Sequence, residues 1–136
     1  MSGQLDLGAP QVQEFWTERH LCTLTTLRAD GSPHVAPVGA TLDLAAGLLR
    51  VISSGESAKV RHIRNGQTRV AVCQFEGPRW CTVEGVAMVN DDPEAVAEAV
   101  KRYAERYRQP RPNPRRVAIE ITITKALGSA SLGAPR

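Results

Sequence analysis

The sequence predicts a mainly β, α+β domain: six antiparallel strands curled into a small closed or split barrel, with two or three short helices plugging its ends. Three observations carry this reading. Short runs rich in Thr, Val, Leu and Ile alternate in polarity between residues 20 and 127. Turn signals separate these runs at short intervals, and few segments have helical spacing. The 136 residues amount to one domain, residues 1–136, long enough to bury a core.

The elements follow in chain order. Pro10 opens a helix over 10–19 that gathers Val12, Phe15 and Trp16 on one face. HLCTLTTLR at 20–28 alternates, and its β-branched Thr residues favour a strand. Ala29-Asp30-Gly31-Ser32 is a tight turn into a partner strand from Pro33 to Asp43. A second turn at 44–47 leads to LLRVISS at 48–54. Gly55 and Glu56 end that strand, and Ser57 is placed to cap a helix over 58–65 that stops at Asn65-Gly66. TRVAVCQF and RWCTVEGVAMV form strands four and five across Glu76-Gly77-Pro78. Asp92 and Pro93 start the best helix, on which Val96, Val100, Tyr103 and Tyr107 repeat at helical spacing and read as packing residues. VAIEITITKAL at 117–127 is the sixth strand.

Composition narrows the function. The net charge of +3 is modest and comes from local clusters, which argues for an anion site and against a nucleic-acid stripe. Cys22, Cys73 and Cys81 are odd in number, without metal-ligand spacing; the two later ones read as small core residues. No apolar run approaches the ~18 residues a membrane span needs, and no leader is evident, so a reduced, cytoplasmic protein is expected. No Ser-His-Asp, Cys-His or metal constellation is present, which counts against most hydrolases.

The strongest local signal is RYAERYRQPRPNPRRV at 102–117. Arg106, Arg108, Arg111, Arg115 and Arg116 follow one another through Pro110, Pro112 and Pro114. Proline fixes φ and removes a donor, so the segment reads as a stiff, extended connector holding guanidinium groups outward. The chain has 14 Arg and 3 Lys, a bias toward the planar forks that suit carboxylates and phosphates.

SPHVAPVGAT at 32–41 followed by RVISSGESAKVRHI at 50–63 resembles the split-barrel enzymes related to pyridoxamine 5'-phosphate oxidase, in the branch that uses the deazaflavin coenzyme F420. The similarity runs from about residue 14 to residue 131, and PRPNPRRV resembles specifically the branch members that act on biliverdin. The resemblance implies an FMN-binding split-barrel fold, a homodimer with coenzyme sites at the subunit interface, and hydride transfer from reduced F420. The implied acceptor is a tetrapyrrole, biliverdin; a quinone, enone or nitro acceptor, or carriage of F420 or a tetrapyrrole without turnover, are the alternatives.

Carried over by position, the backbone of Pro37, Val38 and Gly39 faces the coenzyme ring; Ser53, Ser54, Ser57 and Lys59 hold the phosphate region; and Trp80 approaches from the partner subunit. The F420 tail is a string of carboxylates, for which Arg61, Arg64 and Arg69 are candidates, while Arg108, Arg111, Arg115 and Arg116 are candidates for the two propionates of the acceptor. FMN is the less favoured cofactor, because His34 and Gly39 stand where the related oxidases carry Arg and Lys. His34 itself reads as a hydrogen-bonded strand residue.

Overall fold

Strand alternation decides how the sheet closes. The computed structural model describes residues 2–133 and places strands β1 (Ser2–Gln4), β2 (Cys22–Leu27), β3 (Pro33–Val38), β4 (Ala40–Asp43), β5 (Leu48–Ser54), β6 (Arg69–Glu76), β7 (Arg79–Asn90) and β8 (Arg116–Ser129). The helices are α1 (Pro10–Thr17), α2 (Ala58–Arg64), α3 (Pro93–Arg106) and α4 (Ala130–Gly133). The strands form one sheet in the order β3-β2-β6-β7-β8-β5-β4, with β1 beside β8, and every pairing is antiparallel.

The two ends of that order, β3 and β4, are consecutive in the chain and separated by Gly39 alone. The sheet therefore curls until its edges meet through a single residue, which is a split barrel. Six strands were expected and eight are found. One addition is the short β1; the other arises because the expected strand 33–43 divides at Gly39, its first half pairing with β2 and its second with β5.

Inward faces build the core. Leu24, Leu49, Val51, Val72, Val83, Ile119 and Ile121 are fully or almost fully buried, each contributing ~1.5–3 kcal/mol by leaving water. Val12, Phe15 and Trp16 of α1 join this cluster, as do Val60 and Ile63 of α2. α1 ends at Thr17, two residues earlier than expected, where Glu18 turns extended. On α3 the Asp92 carboxylate accepts from Glu94 N at 3.0 Å and Pro93 occupies the first turn, as the sequence indicated. Arg50 and Arg102 both reach the Asp43 carboxylate, at 2.6 and 3.2 Å, tying α3 to the β4–β5 hairpin. The hydrogen bond from Arg50 holds the Asp43 carboxyl below its usual pKa.

Cys81 is buried as expected, and Cys73 is the one that departs from expectation. Cys22 and Cys81 are the buried pair, whereas Cys73 is half-exposed because its register on β6 turns it outward. Burial raises the Cys22 thiol and pushes Cys81 up to about 11, so neither is a ready nucleophile.

The close approach at Gly39 gives a test of the joint. A Cβ there would stand 2.6 Å from Tyr103 Cε2 and 2.9 Å from Tyr107 Cε2. Gly39→Ala is expected to lower stability by ~1–3 kcal/mol in urea unfolding; an unchanged midpoint would show that the tyrosines yield freely.

Candidate functional site

The turn between β5 and α2 gathers hydroxyls and cations. Ser57 stands at the N-cap position of α2, but its side chain does not cap. Its Oγ lies 2.8 Å from Ser53 Oγ, and Ser53 Oγ also donates to Ser54 O at 3.2 Å. The sequence reading of Ser57 as a helix cap is corrected accordingly: the nearby hydroxyl outcompetes the helix amides. Gly55 N donates to Arg115 O at 2.8 Å, and a side chain at Gly55 would strike that carbonyl at 2.9 Å. Arg61 donates to Glu56 O at 2.7 Å, Arg64 to Gly55 O at 3.5 Å, and the Arg115 guanidinium meets the Glu56 carboxylate at 2.6 Å.

Lys59 follows two residues after Ser57 and is half-buried, and burial alone lowers its pKa. It makes no ion pair or hydrogen bond among the described residues. Desolvation without a neighbouring acid leaves this ammonium poorly compensated by the described residues.

β3 flanks the split. It is hydrogen-bonded to β2 only, so its other edge keeps backbone groups unpaired within the sheet, and Pro33 and Pro37 sit where missing N–H groups are tolerated. Pro37 is exposed and Val38 buried. The absence of a side chain at Gly39 leaves room for the protein's own Tyr103 and Tyr107, whose ring centroids are 4.9 Å apart. His34 was expected to be hydrogen-bonded; instead its Nδ1 is buried without a partner, and its ring lies 5.2 Å from His62 in an edge-on arrangement. His62 Nδ1 is 2.9 Å from Thr26 Oγ1.

The five connector arginines do not act together. Arg106 belongs to α3 and points inward: Nε donates to Glu18 O at 2.9 Å, Nη1 to Ala40 O at 2.6 Å, and Nη2 to Phe15 O at 3.4 Å and to the Gln74 side chain. Its guanidinium also covers the rings of Trp16 and Tyr107 at 5.2 and 5.1 Å. Tyr107 donates to His20 O at 2.6 Å, and burial pushes its phenol pKa up. Arg116 turns back onto Arg111 O at 2.7 Å, and Arg115 is held by Glu56. Arg108 and Arg111 remain with their guanidinium groups unpaired among the described residues, lining cavities with Tyr103.

Arg69 is separated from the serine pair. It lines a shallow cavity of about 430 Å³ with Thr25, Glu84, Val86 and Thr124, on a strand three places from β5 in the sheet. Trp80 is half-buried, in register with Phe75, which is 62% exposed. Glu18, His20 and Glu76 approach within 4.8 Å, but Arg79 already bridges the two carboxylates. Sequence reasoning missed the inward role of Arg106 and the proximity of Arg19 to the connector; no spacing links Arg19 to Arg108, because a whole barrel intervenes in the chain.

Two tests follow from this geometry. Arg106→Leu would leave Glu18 O without its side-chain donor and remove a second bond from Phe15 O, Ala40 O and the Gln74 side chain, and is expected to cost about 3 kcal/mol or more in urea unfolding; a loss below 1 kcal/mol would show the contacts to be expendable. His62 has its pKa lowered by burial, then by His34, Arg28 and Arg61. The unfolded chain thus takes up the proton more readily, and the stability contributed by neutral His62 is present above the unfolded value near 6.5 and lost as pH falls through the folded one. His62→Gln should flatten that part of the stability–pH curve; an unchanged slope would overturn the assignment.

Comparison with known proteins agrees with the architecture. Residues 9–129 match the family model for pyridoxamine 5'-phosphate oxidase. A Mycobacterium tuberculosis protein named F420H2-dependent biliverdin reductase is 54% identical over 119 residues, covering 87% of this chain and 85% of the relative. Among solved structures, a conserved hypothetical protein of Mycobacterium tuberculosis superposes with TM-score 0.77 at 23% identity, covering 98% of this chain and 92% of the other. A structure titled F420 Reductase gives TM-score 0.69 at 24% identity, covering 84% and 94%. With a split barrel joined at Gly39 and a family match across almost all of that barrel, this chain belongs to the pyridoxamine 5'-phosphate oxidase family.

Proposed function

We propose that this protein is a reductase that passes a hydride from reduced coenzyme F420 to a linear tetrapyrrole of the biliverdin type, giving bilirubin. The observation that carries the reading is Lys59, a half-buried ammonium without an acid, beside the Ser53–Ser57 hydroxyl pair in a chain 54% identical to a relative of that name. Bound F420H2 would supply the hydride, which removes the need for a nucleophile in the protein.

The residues then have separate tasks. Ser53, Ser54, Ser57 and Lys59 hold the coenzyme phosphate, α2 being too short for its dipole to matter much. Arg61 and Arg64, turned onto the same loop, face the carboxylates of the tail, and Arg115 steadies that loop through Glu56 and Gly55. Arg69, which lines a separate cavity on β6 three strands from β5, is not assigned to this cluster. The free edge of β3 at Pro37 and Val38 backs the ring, and Gly39 lets the tyrosines close behind it. Water is the proton source for the acceptor's pyrrole nitrogen, since arginine keeps its proton.

A second copy of the chain completes the site. Val35, Phe75, Val86 and Met88 are 58, 62, 46 and 55% exposed on strands β3, β6 and β7, an apolar outer surface of the kind that an interface covers. Trp80 lies beside Phe75 on this surface and would reach the neighbouring coenzyme.

Anaerobic mixing with F420H2 and biliverdin tests the reaction. Matched loss of the coenzyme band and formation of bilirubin is expected. Oxidation of F420H2 by other acceptors but not biliverdin would remove the tetrapyrrole, and no F420 binding would remove the coenzyme. Lys59→Met separates binding from folding: the unliganded variant should melt at or above the parent temperature, because an unpaired charge has gone, while F420 binds about ten-fold or more weakly. Equal affinity would displace Lys59 from the phosphate.

A further inference from the structure

Two cavities of about 410 and 480 Å³ adjoin one another where the connector leaves α3. The first is lined by Arg19, Leu21, Tyr103, Tyr107 and Arg108, and the second by Tyr103, Arg108, Gln109, Pro110 and Arg111. They share Tyr103 and Arg108, so they are two ends of one groove, each within the size range of small-molecule sites.

The charge in this groove is unbalanced. Arg19, Arg108 and Arg111 are exposed, none has an ion pair or a side-chain hydrogen bond among the described residues, and no acid lines either cavity. The chain's other connector arginines are engaged elsewhere, Arg106 in the interior, Arg115 on Glu56 and Arg116 on Arg111 O. The floor between the three cations is aromatic. Tyr103 is backed by Tyr107 at 4.9 Å, its hydroxyl has no partner among the described residues, and Leu21, 67% exposed, stands beside Arg19.

We infer that this groove seats a flat, conjugated molecule bearing two carboxylates, with its ring system over Tyr103 and its acids held by Arg19 at one end and by Arg108 and Arg111 at the other. Planar guanidinium groups grip carboxylates through paired bonds, and an aromatic floor favours a stacked ring. Tyr103 also touches the position of Gly39, so the groove begins where β3 ends, beside the place assigned to the coenzyme ring. The identity of the groove as the acceptor's seat rests on the proposed reductase reading; its preference for flat diacids rests on its own residues.

Equilibrium binding without coenzyme tests the seat, followed by quenching of intrinsic fluorescence. The probes are biliverdin, its dimethyl ester, and 4,4'-stilbenedicarboxylate as a flat diacid that is not a tetrapyrrole. Arg19→Gln and Arg108→Gln should each weaken the diacids about ten-fold, as expected for a lost charge-assisted contact. Lys101→Gln, an exposed charge on α3 outside the groove, should not. Tyr103→Ala should weaken all three probes, and the ester should bind poorly and be indifferent to the arginine changes. Both arginines are exposed and unbonded, so these variants keep the fold, and a melting curve checks it. Stilbenedicarboxylate binding that depends on Arg19 and Arg108 while biliverdin fails to bind would keep the groove and sink the tetrapyrrole reading. Parent-like binding of both diacids in the arginine variants, an ester as tight as the acid, or no diacid binding at all would overturn the groove, whatever the outcome with F420H2.

Discussion

The elements near the split are tied together by one half-buried cation. Arg106 collects the carbonyls of Phe15 and Glu18 at the end of α1, that of Ala40 at the start of β4, and the side chain of Gln74 on β6. The last carbonyls of a helix have no partner within it, and here two of them are satisfied by a residue from the far end of the chain. Gln74, itself fully buried, adds a second bond to Phe15 O at 2.8 Å. No carboxylate among the described residues pairs with it; carbonyl dipoles and the faces of Trp16 and Tyr107 balance the charge instead. Fixing Arg106 fixes the last turn of α3, and with it the two tyrosines against Gly39. The wall of the groove and the joint of the barrel are therefore set by the same contacts.

Cations elsewhere divide by whether the protein has supplied an acid. Arg50, Arg79, Arg102 and Arg115 have carboxylates and serve the architecture. Among the described cations without one, Lys59 stands beside the serine turn after β5, and Arg19, Arg108 and Arg111 stand together around Tyr103. Unbalanced charge of one sign, held on firm backbone, raises the local concentration of anions and orients them on arrival.

Much of the barrel was readable because alternation reports directly which face of a strand is buried. The hairpin at Asp30-Gly31, the start of α3 at Asp92-Pro93 and the long final strand all have local causes. The division at Gly39 was not readable, since it depends on which distant strand captures each half of 33–43. Ser57 has the right residue type for a cap, and only the through-space neighbour Ser53 redirects it. The connector illustrates the limit most sharply. Its composition announced an anion surface, yet five similar arginines serve four different tasks, and the assignment is made by Glu56, Gln74 and Tyr103, none of which is near in sequence to all of them. Arg19 belongs with Arg108 only because α1 and α3 converge in the folded chain.

The three prolines of the connector give its arginines a further property. Residues 108–114 lie in neither helix nor strand, so the pyrrolidine rings supply much of the stiffness. The backbone that carries these guanidinium groups loses little freedom when a ligand arrives, because most of it was surrendered when the chain was made, and only the side chains remain to be ordered. Replacing Pro110 or Pro112 by glycine would leave every charge in place and still spread those charges over many arrangements. Selection acting on this segment would then see the prolines and the arginines as one trait, with the ring that has no charge guarding the geometry of the side chains that do.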